Sequence, residues 1–155
     1  MIDDHEIRIK RATLDDAVRI AVLHGQLFER GWDTAAISTM ISGESRLGLV
    51  DVTAKEDRLV GFALVQIVLD EAELLSIGFA ADQQRAGIGH RLMDAVVRAC
   101  LGAGTRHIHL DVAATNDAAR ALYARHGFQV AGRRKDYYAV GDSRADAIQM
   151  RLDIG

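Results

Sequence analysis

The apolar residues of this chain recur with two spacings, one typical of strands and the other of helices. Ile7 to Arg11 alternates apolar and polar residues, which predicts a half-buried strand. Further strands separated by short polar turns are predicted at Leu47 to Thr53, Leu59 to Val68 and Leu74 to Phe79. Three consecutive strands with short connections predict an antiparallel meander.

Helical spacing begins after Thr13, which together with Asp16 forms the pattern of a capping box. The apolar stripe behind it comprises Ala17, Ile20, Ala21, His24, Leu27 and Phe28. We interpret His24 on this stripe as a histidine of the core or of its boundary. Asp33 is predicted to cap a second, shorter helix.

The second half of the chain predicts two more helices and three more strands. Residues Ile88 to Ala99 have helical spacing, and the glycines of Gly102 to Gly104 end that helix. A further helix opens at Thr115, stops at Gly127, and has Ala118, Ala119 and Leu122 on its inner side. The strands are predicted at His107 to Val112, Phe128 to Gly132 and Ala145 to Leu152, the last two joined by a loop around Lys135 to Arg144. This order predicts one mixed α/β domain over residues 1–155.

Composition and charge exclude several classes of protein. The net charge is −3, from 19 basic and 22 acidic residues, which argues against a nucleic-acid binder. No apolar run approaches the roughly 18 residues of a membrane span, and the acidic segment Met1 to Glu6 does not resemble a signal peptide. Cys100 is the only cysteine, so an intramolecular disulfide is impossible. We therefore expect a cytoplasmic protein without membrane or nucleic-acid partners.

A glycine-containing turn between a predicted strand and a predicted helix is the most informative segment. It reads Gln84-Arg85-Ala86-Gly87-Ile88-Gly89. Glycines let the backbone approach a ligand closely, and the N–H groups at a helix N-terminus bind phosphate oxygens. Arg85 would add a charge-assisted contact. The residues alone leave a second interpretation open, namely a plain connection that needs glycine for its turn.

Two common nucleotide-binding motifs do not fit this segment. A Walker loop ends in Gly-Lys-Ser/Thr, whereas Gly89 is followed by His90 and Arg91. A dinucleotide fingerprint has a third glycine where this chain has Leu92.

The segment Gln84 to Gly89 resembles the Gln/Arg-x-x-Gly-x-Gly motif of the GNAT acetyltransferase superfamily. Asn116 to Tyr123, followed by His126-Gly127-Phe128, is also similar to that superfamily, as is Arg11-Ala12-Thr13 with Asp16. Further segments look like its RimI type, whose members acetylate the N-terminal alanine of a small-subunit ribosomal protein. These segments are Glu73 to Ile77, Leu110 to Val112, Thr115-Asn116 and Arg133 to Tyr138.

The resemblance implies an α/β (α+β) GNAT fold, with a mixed central sheet of about seven strands and helices on both faces. The strands Leu74 to Phe79 and His107 to Val112 would splay apart, with acetyl-CoA on one side and the acceptor amine on the other. Acetyl-CoA would contact the backbone of Ile77, Gly78 and Phe79, the pyrophosphate turn of Gln84, Arg85, Ala86, Gly87, Ile88 and Gly89, and the side chain of Asn116.

The resemblance also assigns two catalytic candidates. Asp111 stands where RimI-type enzymes have a glutamate base, and because it is one methylene shorter we expect it to act through a water molecule. A solvated strand-end carboxylate is the alternative interpretation. Tyr123 matches the general-acid position, with core packing as the alternative. Trp32 with Phe28 would wall the acceptor pocket opposite Tyr137 and Tyr138, although these aromatics would equally suit packing of a loop.

Two other chemistries and two other functions remain to be considered. His107, His109 and Asp111 share a strand face, which is a possible zinc pattern, but they lack a supporting cluster and we expect no metal site. Cys100 is expected to be a small core residue. The alternative functions are acetylation of a small-molecule amine or of another N-terminus, and a non-catalytic acetyl-CoA-binding module.

Overall fold

The structure is a computed structural model that describes residues 7–28, 31–81 and 87–155. The strands are β1 Ile7–Arg11, β2 Arg46–Thr53, β3 Leu59–Val68, β4 Glu71–Phe79, β5 His107–Ala113, β6 Gln129–Val140 and β7 Ser143–Asp153. The helices are α1 Ala17–Leu27, α2 Thr34–Ile41, α3 Ile88–Gly102 and α4 Asp117–Arg125. None of the helices in the described ranges is long and apolar enough to cross a membrane.

The strands form one mixed sheet in the order β1-β2-β3-β4-β5-β7-β6. Strands β2, β3 and β4 pair antiparallel in succession, which confirms the predicted meander. Strand β5 pairs with β4 in parallel after the crossover through α3, and β7 lies between β5 and β6. The α/β fold with a mixed seven-stranded sheet is therefore confirmed.

Helices cover both faces of the β2–β4 part of the sheet. A Cβ on Gly61 would lie 3.0 Å from Leu92 of α3. The next residue, Phe62, contacts the ring of His24 on α1 at a centroid distance of 5.8 Å. Because successive residues of a strand point to opposite faces, α1 and α3 lie on opposite sides of β3.

The core lies between these layers and is almost entirely apolar. Its largest fully buried side chains are Phe62, Ile20, Ile37, Leu64, Ile88, Leu92, Met93 and Ile108. Burying one such side chain contributes roughly 1.5–3 kcal/mol, so α3, which supplies three of them, is held firmly against the sheet.

Side chains cap the chain before α1 and α2 as the sequence predicts. The Thr13 backbone N–H donates to Asp16 Oδ2 at 2.8 Å, within a capping box that opens a short 3₁₀ turn, Leu14–Asp16, ahead of α1. Asp33 Oδ1 accepts from the Ala36 backbone N–H at 2.8 Å and caps α2.

The prediction of a loop around Lys135 to Arg144 is wrong. Strand β6 continues to Val140 and β7 starts at Ser143, so the two strands form a long hairpin closed by a tight turn at Gly141, with φ +57°. Most of this part of β6 is exposed on both faces, so its sequence shows no apolar alternation. Pairing with β7, not burial, makes it a strand.

Two smaller boundaries also differ from the prediction. Helix α4 is capped by Asn116 instead of Thr115, and its inner side contains buried Tyr123 while Ala118 is exposed. Strand β4 begins at Glu71 instead of Leu74, because its first residues pair with β5.

Candidate active site

The two central strands, β4 and β5, separate along their length. They pair only at Glu71 with His107, Ala72 with Ile108, and Glu73 with His109. Beyond these pairs no ladder joins them, so a gap opens between the carboxyl-terminal halves of two neighbouring parallel strands. An irregularity where Leu64 of β3 pairs with Ser76 and Val65 with Leu74 leaves Leu75 as an extra residue. Such a bulge bends a strand, which helps β4 to leave β5.

The end of β4 therefore has one free backbone edge. Ile77, Gly78 and Phe79 pair with β3 on one side, while their other side faces the gap. An unpaired strand edge offers N–H and C=O groups to an extended ligand. Position 78 has no room for a side chain, because a Cβ there would lie 2.7 Å from Leu27 Cδ1 and 3.0 Å from the Phe62 ring.

Helix α3 is the next element of the chain after β4, and its first turn follows this free edge in the sequence. Gly87 is the residue before the helix and has φ +74°, a conformation that favours glycine. A Cβ on Gly87 would meet no atom within 4 Å, so its surroundings are open. The first helical bond runs from the Arg91 N–H to the Gly87 carbonyl oxygen at 3.1 Å. The N–H groups of Ile88, Gly89 and His90 consequently have no acceptor inside the helix.

Gly89 differs from Gly87 in what it does. It is buried, and a Cβ there would lie 3.0 Å from Phe79 Cε1 and 3.3 Å from Leu122 Cδ2. Glycine at this position lets α3 pack closely on β4 and α4. The remaining predicted members of the phosphate turn, Gln84, Arg85 and Ala86, lie outside the described residues.

Asp111 is half-buried on β5, beyond the last residue that pairs with β4. Its side chain lines a cavity of about 420 Å³ on the sheet face that carries His109 and Glu73. Arg134 and Gln149 line the same cavity from β6 and β7. The structure thus places the predicted base beside the gap, among other polar groups.

Tyr123 is only 6% exposed, and its ring packs against Phe128 at a centroid distance of 5.8 Å. Burial, together with the nearby Tyr138 hydroxyl, raises the pKa of Tyr123 far above its ordinary value. Burial first, and the Asp111 charge second, raise the pKa of Tyr138 to about 12. Tyr138 therefore interacts electrostatically with both Tyr123 and Asp111, and both phenols are protonated at neutral pH.

The other predicted aromatic residues form two separate clusters. His24 is buried between Phe28 and Trp32, with centroid distances of 4.3 and 4.6 Å, and its Nδ1 accepts a 3.0 Å hydrogen bond from the Trp32 backbone N–H. Burial lowers the pKa of His24, which keeps this acceptor nitrogen unprotonated. Tyr137 and Tyr138 meet edge to face at 5.1 Å on β6, in a strand and not in the expected loop.

Asn116 has a structural role of its own at the start of α4. Its Oδ1 accepts from the Ala119 backbone N–H at 3.2 Å. Its NH₂ group remains available to donate hydrogen bonds to a ligand.

The two histidines of the possible metal pattern have separate carboxylate neighbours. His107 Nδ1 lies 2.7 Å from Asp153 Oδ1, and His109 Nε2 lies 3.4 Å from Glu71 Oε1. Within the described ranges, no three side chains are arranged to hold a metal ion. Cys100 is buried, and burial raises the pKa of its thiol to about 11, so it is not a thiolate at neutral pH.

Sequence reasoning assigned no role in the site to Glu73, Arg134 or Gln149, which line the cavity together with Asp111. Glu73 and Arg134 lay outside the predicted strands, and only the register between strands brings these residues together. His24 was expected in the core, and its contact with Trp32 could not be read from spacing.

Three comparisons place this geometry among known proteins. A model of the acetyltransferase (GNAT) family matches residues 18–128. The [ribosomal protein bS18]-alanine N-acetyltransferase of Escherichia coli (strain K12) is 41% identical over 97 residues, which are 63% of this chain and 66%, just under two thirds, of the relative. The N-alpha-acetyltransferase RimI of Mycobacterium tuberculosis is 36% identical over 160 residues, covering 99% of this chain and 96% of the relative.

A solved structure also matches almost the whole chain. The crystal structure of the ribosomal-protein-S18-alanine N-acetyltransferase from Escherichia coli matches with a TM-score of 0.90 and 31% identity. The match covers 97% of this chain and 95% of that chain.

Proposed function

Because this chain belongs to the acetyltransferase (GNAT) family, we propose that it transfers the acetyl group of acetyl-CoA to the N-terminal α-amine of a protein, an alanine of a small-subunit ribosomal protein. The observation that carries the proposal is the gap between β4 and β5, which has the α3 N-terminus on one flank and Asp111 on the other. The names of the two relatives support the acceptor class. A ribosomal acceptor would place the reaction in the cytoplasm.

The described residues suit acetyl-CoA. The open space at Gly87 and the free N–H groups of Ile88, Gly89 and His90 would hold the diphosphate. The free edge at Ile77 to Phe79 would hold the pantetheine amides, with the Asn116 NH₂ group nearby in the chain. When bound, acetyl-CoA supplies a thioester whose acyl carbon the amine attacks, so no covalent enzyme intermediate is needed.

Asp111 would remove the proton of the acceptor. An α-amino group has a pKa of about 8, so only modest assistance is needed at neutral pH. The short Asp111 side chain reaches the amine through a water molecule in the cavity, which is open enough to contain one. Tyr123, held protonated by burial, would donate its proton to the departing thiolate.

The activity is tested by acetylation assays on the purified protein. Peptides that begin with alanine should be acetylated at the α-amine, as located by mass spectrometry, with kcat/KM well above that for polyamines or free amino acids. A preference for a polyamine would replace this proposal by one for a small-molecule acetyltransferase. Binding of acetyl-CoA without turnover of any amine would instead indicate a non-catalytic module.

Asp111→Asn tests the proposed base. We expect kcat to fall about 100-fold, because general base assistance is worth roughly 10²–10⁴ in rate, and the acid limb of the pH profile to move. The Kd for acetyl-CoA, measured by calorimetry, should stay unchanged. An unaltered pH profile would remove Asp111 from the mechanism.

A further inference from the structure

A second carboxylate lies near the proposed base, at the closed end of the gap where β4 and β5 begin to separate. Glu73 is the last residue of β4 that pairs with β5, and its partner is His109. Asp111 follows two residues later on the same face of β5. Taking about 3.3 Å per residue and about 4.8 Å between strands, the Cα atoms of Glu73 and Asp111 lie roughly 8 Å apart. Both side chains line the same cavity.

Neither of these carboxylates is hydrogen-bonded to any side chain in the described part of the protein, whereas other acidic groups on this face have partners. Glu71 lies 3.4 Å from the His109 ring, and Asp153 lies 2.7 Å from His107. Among the described residues that line the cavity, Glu73 and Asp111 are therefore the negative groups available to bind a cation.

Arg134, which also lines the cavity, interacts with other groups. The Arg134 guanidinium lies over the Tyr137 ring, 5.2 Å from its centroid, and donates to the Gln149 amide oxygen at 3.2 Å when that amide is oriented to accept. It projects from β6, which is three strands away from β4 in the sheet. At about 4.8 Å per strand, roughly 14 Å separates the two backbones, too far for Arg134 to neutralise Glu73 directly.

We propose that Glu73 is a substrate-binding residue that, together with Asp111, binds the acceptor α-amine as an ammonium ion where β4 and β5 begin to separate. The inference rests on the proposed function and names a further residue of the same site. Because glutamate is one methylene longer than aspartate, Glu73 would reach the ammonium group from β4 without an intervening water molecule. An ammonium group has three N–H donors, which allows it to bond Glu73 directly and Asp111 through a water molecule.

In this arrangement the two carboxylates have different roles, one in acceptor binding and the other in proton transfer. Glu73 holds the charged acceptor before reaction, and Asp111 takes the proton through water. Loss of Glu73 should consequently weaken acceptor binding more than it slows the chemical step, because the interaction is made in the ground state as well as in the transition state.

The test compares Glu73→Gln with Glu71→Gln on an alanine-initiated peptide. Both changes remove one negative charge from an exposed position on the same strand and cavity. Glu71 lies about 7 Å farther from the gap and beside His109. We expect the peptide KM to rise about tenfold in Glu73→Gln and less than twofold in Glu71→Gln, with kcat changed less than threefold in both.

Two further measurements separate binding from a general structural effect. The KM for acetyl-CoA should be the same in Glu73→Gln and in the wild type, and Glu73→Asp should recover part of the lost peptide affinity. Raising the salt concentration should increase the peptide KM more in the wild type than in Glu73→Gln, since the variant lacks the screened charge.

The outcomes distinguish this inference from the proposed function. Equal effects of Glu73→Gln and Glu71→Gln, or an unchanged peptide KM in Glu73→Gln, would overturn the role of Glu73 while acetyl transfer by the wild type remained intact. Absence of turnover by the wild type on every N-terminal peptide would remove both proposals.

Discussion

Asp51, His24 and Tyr123 show how burial sets the protonation state of single side chains in this protein. Asp51 lies in β2 with no exposed surface, and neither of its carboxylate oxygens has a hydrogen-bond partner in the described residues. Burial raises its pKa to about 6, and the Arg91 charge opposes that rise only in part. An ionised carboxylate is costly in such a place, so Asp51 weakens the folded state whenever it is charged.

Asp51→Asn should make stability less dependent on pH. From pH 3.8, the ordinary pKa, to about 6, the unfolded chain has lost the Asp51 proton while the folded protein retains it. The free energy of unfolding therefore falls as the pH rises through this window, and stays lower above it. Between pH 5 and pH 8 the variant should lose on the order of 1 kcal/mol less stability than the wild type, as measured by urea unfolding. Parallel pH curves would contradict the raised pKa.

Tyr123→Phe should separate packing from catalysis. The phenyl ring keeps its contact with Phe128, so the melting temperature should change by no more than a few degrees. Loss of the proposed proton donor should lower kcat by about 100-fold and leave the KM for acetyl-CoA unchanged. Full turnover in the variant would leave the buried tyrosine as a packing residue.

The sequence predicted the surroundings of some of these side chains but not of all. Spacing put His24 on an inner helix face, and the structure finds it 2% exposed. The burial of Asp51 was not expected, because a carboxylate within an apolar strand gives no local signal of how deeply that strand lies. The roles assigned to Asp111 and Tyr123 rest on the resemblance and stay predictions.

At the scale of elements, the start of α3 depends on two glycines for different reasons. Gly87 supplies a positive φ in open surroundings, whereas Gly89 supplies a close approach to Phe79 and Leu122. A motif match alone does not distinguish these uses. The turn-forming interpretation of the glycines and the ligand-binding one are compatible, because the same backbone geometry that makes the turn leaves the N–H groups free.

Alanine substitutions should distinguish the two glycines. Gly87→Ala forces a side chain into the left-handed region, at a cost of roughly 1–2 kcal/mol of stability, and should weaken acetyl-CoA binding by disturbing the turn. Gly89→Ala overpacks the contact with Phe79, at a cost of roughly 1–3 kcal/mol, and should shift the first turn of α3. Urea unfolding and calorimetry with acetyl-CoA measure the two effects.

Gly102→Ala is the matched control for these variants. It lies at the other end of α3, where a Cβ meets no atom within 4 Å and the backbone is helical. We expect it to leave acetyl-CoA affinity unchanged and to stabilise the helix slightly. If Gly87→Ala and Gly89→Ala also left the affinity unchanged, the diphosphate would not be held at this turn.

On the scale of the whole molecule, β1–β4 and the strands β5, β7 and β6 form two parts of the sheet that meet in only three residue pairs. A ligand inserted between β4 and β5 would replace the missing ladder and connect the two parts. The gap proposed to admit the substrate is therefore also the place where the sheet is least well paired.

Acetyl-CoA should accordingly stabilise the protein and protect both sides of the gap. At a ligand concentration 100 times Kd, linkage predicts about 2.7 kcal/mol of added stability. Amide hydrogen exchange should slow at Ile77 to Phe79 and in the first turn of α3, while the distant pairing of β1 with β2 changes little. Protection confined to the helix turn would show that β4 does not hold the pantetheine.

The sequence by itself determined the order of the elements, the antiparallel meander, the caps at Thr13 and Asp33, and the turn at Gly87, because these depend on spacing and on local backbone chemistry. The tertiary structure decided the length of the β6–β7 hairpin, the burial of Asp51, and the meeting of Glu73, Asp111 and Arg134 around one cavity. Those features follow from pairing register and from depth within the sheet. Register and depth are set by contacts between residues far apart in the chain, which periodicity along the chain does not encode.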